Sequence, residues 1–262
     1  MSTWVLLRGL VREQRHWGHF PEQLQAALPD ARIVTLDLPG NGSLCHETSP
    51  TSIEEMAQFC RAELNRRDIK PPYHLLALSL GAMVAVAWNC EAPEEVAACV
   101  LINTSMRPFS PFFRRLRPHN YKKLLRCLKA PPEERERLIL EMTSRDAAAQ
   151  SATLQEWIAY QREFPVSPQN ALRQLWAAIR FRARACKPCT RVLILGSTED
   201  QLVDSRCSRK LACRWHADAA FHPNAGHDLP LDDGPWVAQQ VRDWLMPPAP
   251  AATIDENPGE TQ

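Results

Sequence analysis

The sequence lacks a long apolar run. None of its 262 residues belongs to a stretch near the roughly 18 apolar residues that a membrane-spanning helix needs. The first residues offer only the short run Trp4 to Leu7 before Arg8 interrupts it, which is too short for the core of a signal peptide. We therefore expect a protein that contacts no membrane and stays in the cytoplasm.

An excess of charge of one sign is also missing. The formal net charge is +1, so the whole-chain balance gives no reason to expect a nucleic-acid partner. Hydrophobic residues make up 45% and charged residues 23%, which is ordinary for a folded globular chain. The length allows one large domain or two small ones, with room for a sizeable core.

Complete metal-binding patterns are missing as well. Cys186 and Cys189 have the spacing of half a zinc or redox site, but no second Cys pair and no His pair follows at metal spacing. The chain has nine cysteines, and without a secretory signal we interpret them as free thiols. We expect no metal and no organic cofactor.

What the sequence does contain is an alternation of buried-strand patterns with helix patterns. Strands are predicted at Trp4–Leu7, Ile33–Leu36, Tyr73–Leu78 and Val96–Asn103, and later from about Arg191 and in a weaker run before His227. Helices are predicted between them at His16–Leu28, from Thr51 to about Arg67, at Leu80–Cys90 and at Asp232–Leu245. This order predicts an α/β fold, a mostly parallel sheet with helices on both faces.

The region from about residue 105 to 185 breaks the alternation because it contains no convincing strand. Its apolar spacing predicts helices at Tyr121–Leu128, Pro132–Met142, Leu154–Arg162 and Asn170–Ala183. We predict a helical cap over residues 105–185, inserted into a core formed by residues 1–104 and 186–246. Residues 247–262 are rich in Pro and Ala and then acidic, which predicts a disordered tail.

Ser79 stands where a predicted strand changes into a predicted helix. The nucleophile-elbow pattern is G-x-S-x-G, and this chain has Ala77 in place of the first glycine but keeps Gly81. A sharp strand-to-helix turn exposes such a serine and directs the following backbone N–H groups toward it. By itself, Ser79 could equally be a small polar residue in a turn.

A serine hydroxyl needs a base to remove its proton, and that base needs an acid to orient it. Asp200 follows a strong strand pattern, and His227 lies in the loop after the next strand. The order Ser79, Asp200, His227 is the Ser–acid–His order of one particular fold. Asp200 alone would be a turn residue and His227 alone a surface histidine, and Glu199 is the alternative acid.

Several segments of the chain are similar to those of the α/β-hydrolase superfamily, in its small, capped, esterase-like branch. The segments that carry this resemblance are RGL at 8–10, DLPGNG at 37–42, ALSLGA at 77–82, GSTEDQLV at 196–203 and NAGHDLP at 224–230. The resemblance implies a serine hydrolase that cleaves a carboxylic ester through an acyl-enzyme, with Ser79 as nucleophile, His227 as base and Asp200 as the orienting acid. It also implies an oxyanion hole formed by the backbone N–H groups of Leu10 and Leu80.

One position departs from this pattern. The first loop of the family usually reads His-Gly-X, whereas this chain has Arg8-Gly9-Leu10. The donor is a backbone group, so the chemistry survives a change in the preceding side chain. Arg8 could bind a substrate carboxylate or bond to a neighbouring loop, and we favour the second.

The predicted cap carries a basic segment with no Asp or Glu between residues 105 and 130. Its cations are Arg107, Arg114, Arg115, Arg117, Lys122, Lys123, Arg126 and Lys129. They could form a solvated face balanced by Glu133, Glu134, Glu136 and Glu141, or attract an anionic substrate or an acidic carrier protein. Trp157 and Tyr160 are candidates for lining an acyl site, although cap packing explains them equally well.

Three functions therefore remain open. The first is a serine carboxylesterase acting on a small acyl ester. The second is a thioesterase or carrier-protein ester hydrolase that uses the basic cap. The third is a non-catalytic protein of the same fold that binds a ligand or partner, since Arg8 and Ala77 both depart from the family pattern.

Overall fold

The structure is a computed structural model that describes residues 1–183, 188 and 190–246. The predicted pair Cys186 and Cys189 and the predicted tail at 247–262 lie outside the described residues. Within the described part of the chain, no helix is long and apolar enough to cross a membrane.

The core of the molecule is a parallel sheet. The strands are β1 (Ser2–Leu7), β2 (Ala31–Leu36), β3 (Tyr73–Leu78), β4 (Val96–Ile102), β5 (Arg191–Ser197) and β6 (Asp218–His222). They pair in the order β2-β1-β3-β4-β5-β6, and all five pairings are parallel. The chain moves outward from β1 to β2 and then crosses back to β3. The carboxyl ends of β1 and β3 therefore flank the topological switch point, where ligands bind in such sheets.

The helices surround and extend this sheet. They are α1 (Phe20–Ala27), α2 (Ile53–Arg66), α3 (Leu80–Glu91), α4 (Phe112–Arg115), α5 (Tyr121–Cys127), α6 (Pro132–Thr143), α7 (Ala147–Glu163), α8 (Pro168–Arg180), α9 (Arg206–Trp215) and α10 (Leu229–Leu245).

Both faces of the sheet are covered, as predicted. Alternate residues of a strand point to opposite faces. In β1, Trp4 and Leu6 pack in the cluster that contains α1 and α10, whereas Val5 and Leu7 pack in the cluster that contains α2, α3 and α9. The near-continuous apolar strands of the sequence are explained by this two-sided burial. The predicted fold class is confirmed.

Helices α4 to α8 all lie between β4 and β5, in the region predicted to be a cap. Part of this region has a core of its own, formed by Cys127, Leu138, Ile139, Leu140, Met142 and Trp157. The short helix α4 was not predicted; the other four begin and end within a few residues of the predicted bounds, except that α7 begins at Ala147 rather than Leu154. The division of the chain into core and cap remains a prediction.

The predicted helix at His16–Leu28 is wrong as a single element. The structure has a short 3-10 helix at Gln14–Trp17, followed by α1 from Phe20. Gly18 separates them with φ +52°, a conformation that an α-helix does not contain, and Pro21 favours a new helix start. The apolar spacing continued across this break, so periodicity alone did not detect it.

Candidate active site

Ser79 occupies the sharp turn between β3 and α3. Its backbone has φ 57° and ψ −111°, which is a strained conformation for a residue with a side chain. The Ser79 N–H donates to the Ile102 carbonyl at 2.9 Å, and the Thr104 hydroxyl donates to the Ser79 carbonyl at 3.0 Å. The end of β4 therefore holds the turn in place.

The two small residues around Ser79 have different roles. A Cβ on Gly81 would lie 2.4 Å from the Leu7 carbonyl oxygen and 2.6 Å from that of Arg8, closer than any real contact. Gly81 thus lets α3 start directly against the end of β1. Ala77 lies inside β3, where it is fully buried opposite Leu7. Its methyl group is accommodated there, which explains why alanine can stand in place of the first glycine.

Asp200 and His227 come together at the carboxyl edge of the sheet. His227 Nδ1 lies 2.7 Å from Asp200 Oδ2, and both side chains are almost fully buried. Asp200 Oδ1 accepts from the N–H groups of Leu202 and Val203 at 2.8 and 2.9 Å, which fixes the carboxylate. Because a carboxylate only accepts, Nδ1 carries the ring proton, and Nε2 is left to accept another. The alternative acid Glu199 is exposed and forms no hydrogen bond or ion pair with this ring.

Asn103 holds the loop that carries His227. Its amide nitrogen donates to the carbonyls of His227 at 2.9 Å and Gly226 at 3.2 Å, and to the Ser197 hydroxyl at 3.0 Å. Its amide oxygen accepts from the Ser197 N–H at 2.8 Å. Asn103 therefore connects the ends of β4 and β5 to the histidine loop. From the sequence, Asn103 was predicted only to be the last residue of a strand. A polar residue at the end of an apolar run was the one signal of a further role.

Arg8 is paired with the residue that follows His227. Its Nη1 and Nη2 donate to Asp228 Oδ1 and Oδ2 at 3.0 and 2.5 Å. The side chains are 2% and 4% exposed, and the Arg8 guanidinium lies 4.8 Å from the centre of the Trp17 ring. A bidentate pair of this kind restricts both partners. Arg8 thus joins the predicted oxyanion loop to the histidine loop, and sequence analysis missed Asp228 as its partner.

The histidine loop also contacts the end of α6. The Asp228 N–H donates to the Thr143 carbonyl at 2.7 Å, and a Cβ on Gly226 would lie 2.6 Å from the same oxygen. Asp232 accepts from the N–H of Gly226 at 2.6 Å and from the Ser144 hydroxyl at 2.6 Å. Burial raises the pKa of Asp232, although these hydrogen bonds oppose the shift. The loop is therefore fixed from the side of the inserted helices too.

The predicted oxyanion donors lie beside Ser79. A Cβ on Gly9 would be 3.3 Å from the Ser79 Cβ and 3.9 Å from its Oγ, so the loop passes directly along the serine. The Leu10 N–H makes no hydrogen bond to any described residue. Leu80 is the first residue of α3, where an N–H has no acceptor within its own helix. Both N–H groups are thus available to a ligand at Ser79.

Two cavities meet at Ser79. The first, here called the apolar cavity, has a volume of about 180 Å³ and extends toward α5, α6 and α8. Its lining includes Ser79, His227 and Arg8, together with apolar side chains such as Leu124, Ile139 and Leu175. The second, here called the cationic cavity, has a volume of about 730 Å³ and is lined by Ser79, Leu80 and residues of the basic segment. Ser79, Leu10, Leu175 and Leu202 belong to both linings.

The positions of Trp157 and Tyr160 do not support the prediction that they bind substrate, because neither lines either cavity. Both pack edge-on against His16, at ring-centre distances of 4.9 and 5.5 Å. Arg12 lies 4.5 Å from the centre of the Trp157 ring and donates to Glu136 of α6 at 2.6 Å. Helical spacing could not distinguish this packing role from a binding role.

His16 is a buried neutral histidine in this cluster. Its Nε2 lies 2.8 Å from Arg12 Nη1, and since arginine only donates, Nε2 must accept. Burial, and then the positive charges of Arg12 and Arg8, hold the pKa of His16 well below 6.5. Arg12 and His16 therefore hold the first loop against α6 and α7.

Metal ligation has no support among the described residues, where no group of three or more His, Cys, Asp or Glu side chains could hold an ion. The cysteines at 45, 60, 90, 99, 127, 207 and 213 form no disulfide with one another.

Comparison with known proteins finds a matching family and solved structures of the same fold. A sequence model of the alpha/beta hydrolase family matches residues 4–240. An esterase from Rhodococcus sp. ECU1013 superposes with a TM-score of 0.74 at 19% identity, covering 93% of this chain and 90% of that chain. A thermophilic esterase from Thermogutta terrifontis gives 0.72 at 18% identity, covering 94% and 89%.

A third structure extends the comparison to a different hydrolase. The 2-hydroxy-6-oxo-6-phenylhexa-2,4-dienoate hydrolase from Rhodococcus sp. strain RHA1 gives a TM-score of 0.76 at 17% identity, covering 92% of this chain and 89% of that chain. At these identities the structures show a shared fold and nothing about substrate. No curated protein matches the chain.

Proposed function

The chain belongs to the alpha/beta hydrolase family, and from this premise we propose that it is a serine hydrolase that cleaves a carboxylic ester through an acyl-enzyme. The observation that carries the proposal is the buried contact of 2.7 Å between His227 and Asp200, beside a cavity that Ser79 and His227 both line. A histidine that is oriented by an acid and shares a cavity with a strained, half-buried serine is the arrangement that acyl transfer requires.

The first half of the reaction forms the acyl-enzyme. The Ser79 Oγ attacks the ester carbonyl carbon while its proton passes to His227 Nε2. The N–H groups of Leu10 and Leu80 donate to the oxyanion that develops on the carbonyl oxygen. The bond to the leaving oxygen then breaks, that oxygen takes the proton from His227, and the alcohol departs. Asp200 stabilises the imidazolium between these two transfers.

The second half returns the enzyme to its starting state. A water molecule gives a proton to His227 as its oxygen attacks the acyl carbon. The same two N–H groups bind the second oxyanion. The bond to Ser79 Oγ breaks, Ser79 takes the proton back, and the carboxylic acid leaves.

Substitution of the serine tests the proposal. Ser79→Ala should abolish turnover of p-nitrophenyl hexanoate and labelling by a fluorophosphonate, while circular dichroism remains that of the wild type. Ser52→Ala is a matched control, because Ser52 caps α2 and lies outside both cavity linings. Hydrolysis that persists in Ser79→Ala would exclude Ser79 as the nucleophile. A wild-type protein that is neither labelled nor active would favour the non-catalytic, ligand-binding alternative.

A second candidate is a thioesterase or carrier-protein ester hydrolase that docks an acidic carrier on the basic segment. Two cations of this segment, Lys123 and Arg126, pair with Glu141 and Glu134. The other acids expected to balance it are engaged elsewhere, Glu136 by Arg12 and Glu133 by Arg162. The segment thus keeps uncompensated positive charge, which attracts an acidic surface.

Binding measurements separate this candidate from a plain esterase. A carrier-protein hydrolase should bind an acidic acyl-carrier protein at low ionic strength, lose that binding in high salt, and bind more weakly after Lys122→Glu. Binding that is absent at every salt concentration would rule out the carrier.

A further inference from the structure

The described lining of the cationic cavity includes four positively charged side chains. Its cations are Arg107, Arg115, Arg182 and Lys210. Among the described residues, the lining includes no Asp or Glu, and none of the four cations forms an ion pair there. In the apolar cavity, Arg8 and Arg12 are each paired with a buried carboxylate, and Arg135 donates to three backbone carbonyls.

Backbone contacts hold three of these cations at the cavity. Arg107 and Arg182 are partners in an isolated parallel β-bridge, and the Ala183 N–H donates to the Arg107 carbonyl at 2.8 Å. Arg115 donates through its guanidinium to the carbonyl of Ala178 at 2.5 Å. Burial, and then the charge of Arg107, lower the pKa of Arg115. Keeping like charges together in this way is unfavourable, and an anion among them would relieve the repulsion.

The cluster is connected to the candidate reaction centre. The cationic cavity reaches Ser79 and Leu80, and it meets the apolar cavity at Ser79. One ligand can therefore lie in both cavities with its carbonyl at the serine. A charged group would be strongly disfavoured in the apolar cavity, so the polarity of the two linings sets the direction in which such a ligand binds.

We propose that the cationic cavity binds an anionic group of the substrate, a carboxylate or a phosphate, while the apolar part of the same ester fills the apolar cavity. The proposal rests on the proposed serine hydrolase, and it narrows the substrate class to esters that carry a negative charge on one side of the scissile carbonyl. The apolar cavity of about 180 Å³ suits a group of about six carbons, since a cavity of roughly 150 Å³ holds benzene. The larger cavity lies within the usual volume range of ligand sites.

Matched pairs of esters test the proposal. p-Nitrophenyl hexanoate is neutral, mono-p-nitrophenyl adipate adds a carboxylate to the acyl part, and 3-carboxy-4-nitrophenyl hexanoate adds one to the leaving group. The ratio of kcat/KM for a charged ester over the neutral one should exceed one, and should fall as ionic strength rises. The charged ester with the higher ratio identifies the side of the carbonyl that enters the cationic cavity.

Variants connect this ratio to the cavity. Arg107→Gln and Arg182→Gln change exposed side chains, and each should lower the ratio by about fivefold, the effect of one charge at about 4 Å in water. Lys122→Gln is the control, because Lys122 is an exposed cation of the same basic segment outside both linings. A ratio that is equal in wild type and the Arg107→Gln/Arg182→Gln double variant overturns the proposal.

A binding measurement keeps this outcome separate from failure of the proposed reaction. Calorimetric titration of Ser79→Ala with hexyl phosphate and with 1-hexanol needs no turnover. Tighter binding of hexyl phosphate that disappears in the double arginine variant supports the anion site even if no ester is hydrolysed. Equal binding of both probes argues against the anion site even if ester hydrolysis is robust.

Discussion

Replacing Arg8 by methionine should destabilise the fold and disable the candidate active site together. Arg8 and Asp228 form two hydrogen bonds with side chains that are 2% and 4% exposed. Removing one partner of such a buried pair leaves an uncompensated charge and costs about 3–5 kcal/mol. That is a large fraction of the roughly 5–15 kcal/mol by which a domain is stable.

The effect on catalysis follows from the position of Arg8 in the first loop. Arg8 precedes Gly9 and Leu10, whose backbone passes along Ser79, and its partner Asp228 follows His227. Loss of one oxyanion donor typically lowers kcat on the order of a hundredfold. We therefore expect Arg8→Met to lower kcat by about that factor for a neutral ester, with a much smaller change in KM, because the donor acts on the transition state.

Urea unfolding followed by tryptophan fluorescence measures the first effect, and steady-state ester kinetics measures the second. Arg8→Met/Asp228→Leu should recover most of the lost stability, since replacing a buried pair by apolar groups is often close to neutral. Arg66→Met serves as control, because Arg66 is 72% exposed and its removal should have no measurable effect. The reasoning would be refuted if Arg8→Met lowered the free energy of unfolding by less than about 1 kcal/mol. It would also be refuted if the double variant lost as much stability as the two single variants together.

Three further outcomes can be checked on the same protein. Gly81→Ala should cost about 1–3 kcal/mol and most of the activity, because its Cβ would lie 2.4 Å from the Leu7 carbonyl oxygen; an unchanged urea midpoint contradicts this. His16 has a folded pKa well below 6.5, so its contribution to stability is full above pH 6.5 and is lost as pH falls below it. The wild type should therefore lose stability relative to His16→Gln as the pH falls from 6.5, by at most about 1.4 kcal/mol per pH unit, and parallel pH profiles of the two proteins would argue against a buried neutral His16. If the leaving-group side enters the cationic cavity, the acyl chain lies in the apolar cavity of about 180 Å³, so kcat/KM among p-nitrophenyl esters of graded acyl length should peak near six carbons, and a steady rise to twelve carbons would not fit this volume.

Some features of the site were predictable because they depend on local sequence order. Strand residues buried on both faces must form near-continuous apolar runs, and the loops after parallel strands must meet at one edge. Ser79 and Asp200 each follow such a strand, and His227 follows the weaker, partly exposed strand β6, so their meeting at one edge could be inferred from the sequence. The contact between Asp200 and His227 is consistent with that inference. Their catalytic roles remain predictions.

Other features were not predictable because they join residues that are distant in sequence. Asn103 was visible only as the polar end of a strand, yet it bonds to the loop of His227, 124 residues later. Trp157 had the spacing expected of either a cap core or an acyl site. In the structure it packs against Arg12 and His16 and lies outside both cavity linings.

The sequence by itself determined the parallel α/β sheet, the strand-to-helix turn at Ser79 and the order of the three candidate catalytic residues, because periodicity, turn chemistry and chain order are local properties. Only the tertiary structure decided that Arg8 pairs with Asp228, 220 residues away, and that four basic residues line one cavity with Ser79 and no acid of the described part of the chain. Pairing partners and cavity linings depend on which loops and helices meet in space. That information is distributed over the whole fold and is carried by no single segment.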